Sequence, residues 1–170
     1  ALMNTIIVEG GKDMGNRIYP IGIQNFEKIR KEGYVYVDKT ALMYKLVKSG
    51  SYFFLSRPRR FGKSLLISTL EAYFEAKRDL FEGLAVETLE KDWVKRPVFH
   101  LDLNIGKYDT PDSLDKILNE TLDYWESLYG TRSAETTLAL RFAGVVGRAY
   151  EQSGERVAIP VSYTHLTLPT

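Results

Sequence analysis

Lys63 and Ser64, directly after Gly62 in the run Arg57-Pro58-Arg59-Arg60-Phe61-Gly62-Lys63-Ser64, carry the clearest chemistry in this sequence. An ammonium and a hydroxyl at the point where a tight turn becomes a helix suit the phosphates of a nucleotide. The turn directs successive main-chain N–H groups at one spot, and the helix start adds further N–H groups and the positive end of its dipole. Gly62 lets the backbone approach phosphate oxygens that a Cβ would hold off. Lys63 has the reach for the β- and γ-phosphates, and Ser64 offers its hydroxyl to Mg²⁺. Main-chain groups of Arg59, Arg60, Phe61, Gly62 and Leu65 complete the expected cradle. Arg57, Arg59 and Arg60 with Lys63 form the densest positive cluster in the chain. The usual motif opens with glycine five positions before the Gly-Lys pair, and Arg57 stands there instead.

Such a loop works only if a strand anchors it and a helix receives it. Tyr52-Phe53-Phe54-Leu55 predicts a strand over 52–56, and Leu66, Leu70, Tyr73 and Phe74 share one face of a helix predicted over 63–77. Upstream, the pattern predicts a helix over 23–31 stopped by Gly33, and a strand at Tyr34-Val35-Tyr36-Val37. A further helix follows, capped by Asp38 or Thr40, with Leu42, Leu46 and Val47 as its buried stripe and Gly50 at its end. Downstream, residues 80–84 read as a turn, 88–94 as a short helix and 97–103 as a strand with Pro97 at its first position. Thr110-Pro111 starts a helix that holds register through Leu122, Trp125 and Tyr129. Another runs over 134–152 with Leu138, Phe142, Val145, Val146 and Ala149 inward, and Arg156-Val157-Ala158-Ile159 begins a last strand. Strands alternating with helices imply an α/β fold with a parallel sheet and helices on both faces, ligands binding at the strands' carboxyl ends.

The totals bound the alternatives. Hydrophobic residues at 44% and charged residues at 26% are ordinary for one globular domain. A net charge of +1 supplies no global field for nucleic acid or acidic membrane, so polyanion binding must come from local clusters. With no cysteine there are no disulfides, thiolate metal sites or cysteine nucleophiles, and two histidines are too few for a histidine-rich metal site. No apolar run reaches the ~18 residues of a membrane helix, and a cytoplasmic location is the expectation.

Several separated motifs stand in an order that resembles one family. Tyr19-Pro20-Ile21-Gly22-Ile23-Gln24, Tyr36-Val37-Asp38-Lys39-Thr40, the run from Phe54 to Ser64, and His100-Leu101-Asp102-Leu103 look like the predicted AAA-ATPase-like domain of bacterial proteins. The resemblance covers about 18–159, and arginine at position 57 agrees with it. It implies a P-loop NTPase-type fold, here truncated after the third core strand, with ATP and Mg²⁺ as ligands. It also implies a restriction-endonuclease-like domain near the C-terminus of the whole protein, and with it a possible nucleic-acid partner. A strand ending in an acidic pair, to hold Mg²⁺ and polarise the attacking water, should follow the Gly154-Glu155-Arg156 turn. No Asp or Glu occurs after Glu155. The chain is therefore expected to bind nucleotide weakly and to hydrolyse it little.

Residues 1–17 read as a leader of doubtful origin, since the chain starts at Ala1 and Met14 is a plausible initiator. Residues 18–160 read as the ATPase-like domain, and 161–170 as a non-native tail resembling translated adapter sequence. Asp102, alternating with His100 and Asn104 on one strand face, is a weak catalytic candidate; its competing role is to accept nearby main-chain N–H groups. Lys39 either contacts nucleotide or is a solvated lysine beside the Asp38 cap. His100 reads as a half-buried strand residue and Trp125 as core. Two other activities stay open: a nucleic-acid phosphate-binding module built on Arg57, Arg59, Arg60 and Lys63, and a small-molecule phosphotransferase.

Overall fold

The computed structural model describes residues 18–56, 58, 61–104 and 111–163. In chain order, α1 spans Phe26–Lys31, α2 Thr40–Ser49, α3 Lys63–Phe74, a 3₁₀ turn Arg78–Phe81 and α4 Ala85–Leu89. They are followed by β1 at Leu101–Asp102, α5 at Pro111–Tyr129, α6 at Leu138–Ser153 and β2 at Val161–Ser162. The fold is mixed helix and strand. Its sheet among the described residues is a parallel pair, with Leu101 opposite Val161 and Asp102 opposite Ser162. A parallel bridge joins Val98 to Ala158 just ahead of it. The last predicted strand thus runs on past Ile159 into residues 161–162, which the sequence reading gave to the tail.

Two apolar interiors hold the chain. Phe26, Met43, Ala72, Tyr73, Leu80, Phe81, Leu84 and Val86 form the first, between α1, α2, α3 and α4. Phe81 is fully buried and its ring lies 4.9 Å from that of Phe26; sequestering one such side chain contributes roughly 1.5–3 kcal/mol. Phe99, Leu122, Trp125, Val145 and Ala149 form the second, between the β1 strand and the α5–α6 hairpin. Trp125 stacks on Phe99 at 4.6 Å and 11°, so it packs as expected.

Caps made by distant residues shape the first half. Asp38 accepts from Thr40 N at 2.8 Å through Oδ1 and from Ala85 N at 2.7 Å through Oδ2. One carboxylate therefore serves the openings of both α2 and α4. The buried Thr40 hydroxyl donates to Asp38 at 2.7 Å and accepts from Val86 N at 3.1 Å. This pins α4 at Ala85–Leu89, earlier than the predicted 88–94.

Several expectations are corrected. Residues 34–37 form no strand; their main-chain bonds include those from Tyr34 N to Ile29 O at 3.0 Å and from Val35 N to Ile18 O at 3.1 Å. Residues 52–56 form no strand among the described residues, and the apolar side chains of that run stand exposed. The inward side of α2 is carried by Thr40 and Met43, with Val47 packed against the first interior as expected, whereas Leu42 is exposed. The predicted 97–103 strand contracts to the 101–102 ladder plus the Val98 bridge.

Candidate nucleotide-phosphate site

The opening of α3 sets the site. Gly62 takes the left-handed conformation at φ 74° and ψ 23° as its N-cap, a region that costs other residues roughly 1–2 kcal/mol. A Cβ built there meets no atom within 4 Å, so the demand for glycine is conformational. Gly62 O accepts from Leu66 N at 3.0 Å, starting the helix. No side chain caps this end. The first-turn N–H groups of Ser64 and Leu65 belong to the set an α-helix leaves without internal partners.

Lys63 is half-buried and Ser64 exposed. Both line a cleft of about 1040 Å³ whose walls also include Ser56, Asn104, Ser162 and Tyr163. Leu65 turns instead to the first interior, and Phe61 is exposed. Arg57, Arg59 and Arg60 lie outside the described residues. Lys39 is exposed and stands at the N-cap position of α2 without a side-chain cap bond; Asp38 just before it accepts from Thr40 N.

A polar chain runs from α3 across both strands. Glu71 Oε1 accepts from His100 Nδ1 at 2.6 Å, and His100 Nε2 lies 2.9 Å from Ser162 Oγ. Ser162 Oγ donates to Asp102 Oδ1 at 2.8 Å. Asp102 also accepts from Asn104 N at 2.9 Å and from Asn104 Nδ2 at 2.7 Å. With the single Ser162 proton directed at Asp102, its lone pairs are left to accept from His100, so the network is satisfied by a doubly protonated imidazole. The Glu71 carboxylate accordingly holds His100 above its usual range, against a smaller opposing effect of burial. Burial alone would raise Asp102, but the bonds from the Asn104 main chain, Ser162 and the Asn104 side chain bring it below the usual carboxylate range. Asp102 thus meets its accepting role, with one main-chain donor and two side-chain donors. Among the described residues no group of three or more His, Cys, Asp or Glu could hold a metal ion.

Glu71 was not singled out from sequence. Its signal was spacing: it follows Ser64 by seven residues, two helical turns, and so shares its face of α3. Ser162 was missed because it fell in the segment read as tail.

A family model described as "Predicted AAA-ATPase" matches residues 20–163, which include the Gly62 turn, both strands and the Glu71–His100–Ser162 chain. The chain belongs to the AAA-ATPase-like family. An "Uncharacterized protein in vnfD 5′region" of Azotobacter chroococcum mcd 1 is 38% identical over 150 residues. That match covers 87% of this chain and 29% of the relative, so the AAA-ATPase-like chain spans under a third of its length. No solved structure matches. No helix among the described residues is long and apolar enough to cross a membrane.

Proposed function

We propose that this chain is the nucleotide-binding part of a P-loop ATPase and takes the triphosphate of ATP at the opening of α3. The observation that carries the reading is the left-handed Gly62 turn feeding a 12-residue helix whose Lys63 and Ser64 line a single cleft. The main-chain amides there and the Lys63 ammonium favour phosphate oxygens, each charge-assisted bond contributing roughly 1.5–3 kcal/mol. Arg57, Arg59 and Arg60 add positive charge from the sequence around it. The family membership supports a nucleotide as the ligand.

For Mg²⁺ the residues fit in part. The exposed Ser64 hydroxyl suits an ion carried in on the phosphates. The strand end where the resemblance places an acid carries Ser162, and no carboxylate follows Glu155. Mg²⁺ would neutralise phosphate charge; this chain supplies a hydroxyl and the cradle around it. Hydrolysis by in-line attack of water therefore lacks its expected acidic partner, and slow turnover is the corresponding expectation.

Titration of the chain with a fluorescent ATP analogue and Mg²⁺ tests the reading. Lys63→Ala should weaken binding by about tenfold or more. Unchanged affinity in that variant, or displacement of the analogue by DNA that is equally strong with Lys63→Ala, would overturn it in favour of a nucleic-acid phosphate module.

A further inference from the structure

We propose that α5 presents a docking seam for a second copy of this chain, with the two α5 helices lying antiparallel. The helix carries two apolar stripes. Leu122, Trp125 and Tyr129 serve the second interior. Leu114, Ile117, Thr121, Tyr124 and Leu128 form the other, at alternating steps of three and four residues, the spacing by which one helix packs along another. None of these five belongs to either apolar interior, and Leu114, Tyr124 and Leu128 are 39%, 63% and 56% exposed. Thr121 donates its hydroxyl to Ile117 O at 2.7 Å, so its polar atom is satisfied within the helix.

A strand edge lies open on the same side. Ile117, Thr121 and Tyr124 share a cavity of about 380 Å³ with Val98 and His100. Phe99, Leu101 and Leu103 donate their main-chain N–H groups to Ala158, Pro160 and Ser162 at 2.8, 2.9 and 2.8 Å. Alternate residues of a ladder direct their main-chain groups to alternate sides. Those of Val98 and His100 therefore turn away from β2, and they form no main-chain bond among the described residues. Folded proteins commonly cover such an edge. A helix seated on the α5 stripe shields this one.

Two features select a second copy as the occupant. The positions 117, 121, 124 and 128 are spaced alike in both directions. Turning the helix end for end thus lays Ile117 against Leu128 and Thr121 against Tyr124, small against large. The second feature is charge. In that register Lys116 comes level with Tyr129, in the last turn of the other helix. The last turn of α5 holds no basic residue, and its first turn holds Asp112, so the negative end of its dipole lacks a cation of its own. Antiparallel pairing supplies one to each helix. Lys116 is held otherwise by Glu120 at 3.9 Å, both side chains exposed, a pair that contributes little.

Sedimentation of the 170-residue chain at rising concentration should show a reversible monomer–dimer equilibrium. Tyr124→Asp, outside both interiors and the phosphate cradle, should weaken association about tenfold or more. Leu140→Asp, at an exposed position of α6, should leave it unchanged. The chain has no cysteine, so introduced thiols report the register. Mild oxidation of mixed Ile117→Cys and Leu128→Cys chains should link one to the other. Leu128→Cys alone should stay unlinked, because antiparallel pairing sets its two copies about 16 Å apart along the axis. Three results would overturn the inference: the chain stays monomeric at every concentration, Tyr124→Asp dimerises as well as the parent, or Leu128→Cys links readily to itself, which would make the pairing parallel.

Discussion

His100 Nδ1 lies 2.6 Å from Glu71 Oε1, and this ion pair fastens β1 to the helix that begins at the Gly62 turn. The pair joins residues 29 positions apart, one in each half of the molecule. It places α3 in register with the strand that carries Asp102, so the geometry at Ser64 depends on a contact two turns down the helix.

That pair should make stability fall on the alkaline side. His100 is raised by its carboxylate neighbour, so the stabilisation is complete below the unfolded histidine value near 6.5 and disappears as pH climbs through the higher folded value. His100→Gln should lower stability by about 1 kcal/mol at pH 6 and far less at pH 9. Urea unfolding at the two pH values measures this, and an equal loss at both would refute the charged pair.

Glu90 should respond at the opposite end of the scale. Burial would raise its carboxyl, but Tyr73 OH, Lys48 at 3.0 Å and the Asp92 main chain together lower it to about 2. Its contribution is present above the unfolded value of 4.5 and is lost as pH falls toward about 2. Glu90→Gln should cost about 1–2 kcal/mol at pH 7, discounted for the half-exposed Lys48, and a small fraction of that at pH 2.5. Thermal melts across that window follow the difference directly.

Arg141 clamps the α5–α6 hairpin. Its guanidinium donates to Glu126 at 3.0 and 2.6 Å, to Asn119 at 2.6 Å and to Asp123 at 2.5 Å. Arg141→Ala would leave the buried Glu126 carboxylate without its counter-charge, at a cost of about 3 kcal/mol. The double variant Arg141→Leu with Glu126→Leu should recover much of that loss, measured by chemical denaturation. Failure of the second change to recover stability would show that the loss comes from packing.

Gly62→Ala should cost about 1 kcal/mol through its positive φ alone, since space for a methyl group is open. Gly62→Asn should cost less, because asparagine visits that conformation more readily. Urea midpoints for the two variants decide it, and equal midpoints would mean the turn relaxes into another conformation.

How far the sequence foretold this structure depended on where each element finds its hydrogen bonds. Helices α3, α5 and α6 were legible because their bonds are internal and their apolar residues repeat at helical spacing, with Gly62 and Gly154 marking a start and an end. The runs at 34–37 and 52–56 have the composition of strands, but a strand needs an edge to pair with, and composition cannot report one. Helix α4 shifted because Asp38 and Thr40, more than 40 residues upstream, hold its first turn. The turn at Gly62 that opens into a helix at Lys63 was legible from the Gly-Lys-Ser run. The partnership of Glu71, His100 and Ser162 was not, since it arises only when α3, β1 and β2 are packed side by side.

The division of the apolar interior into two clusters carries a consequence for how the molecule comes apart. Between the halves run two polar links, the bond from Arg96 N to Phe74 O at 2.7 Å and the His100–Glu71 pair. Heating at alkaline pH, where the imidazole sheds its charge, should therefore yield a biphasic melt, one half surrendering its order before the other.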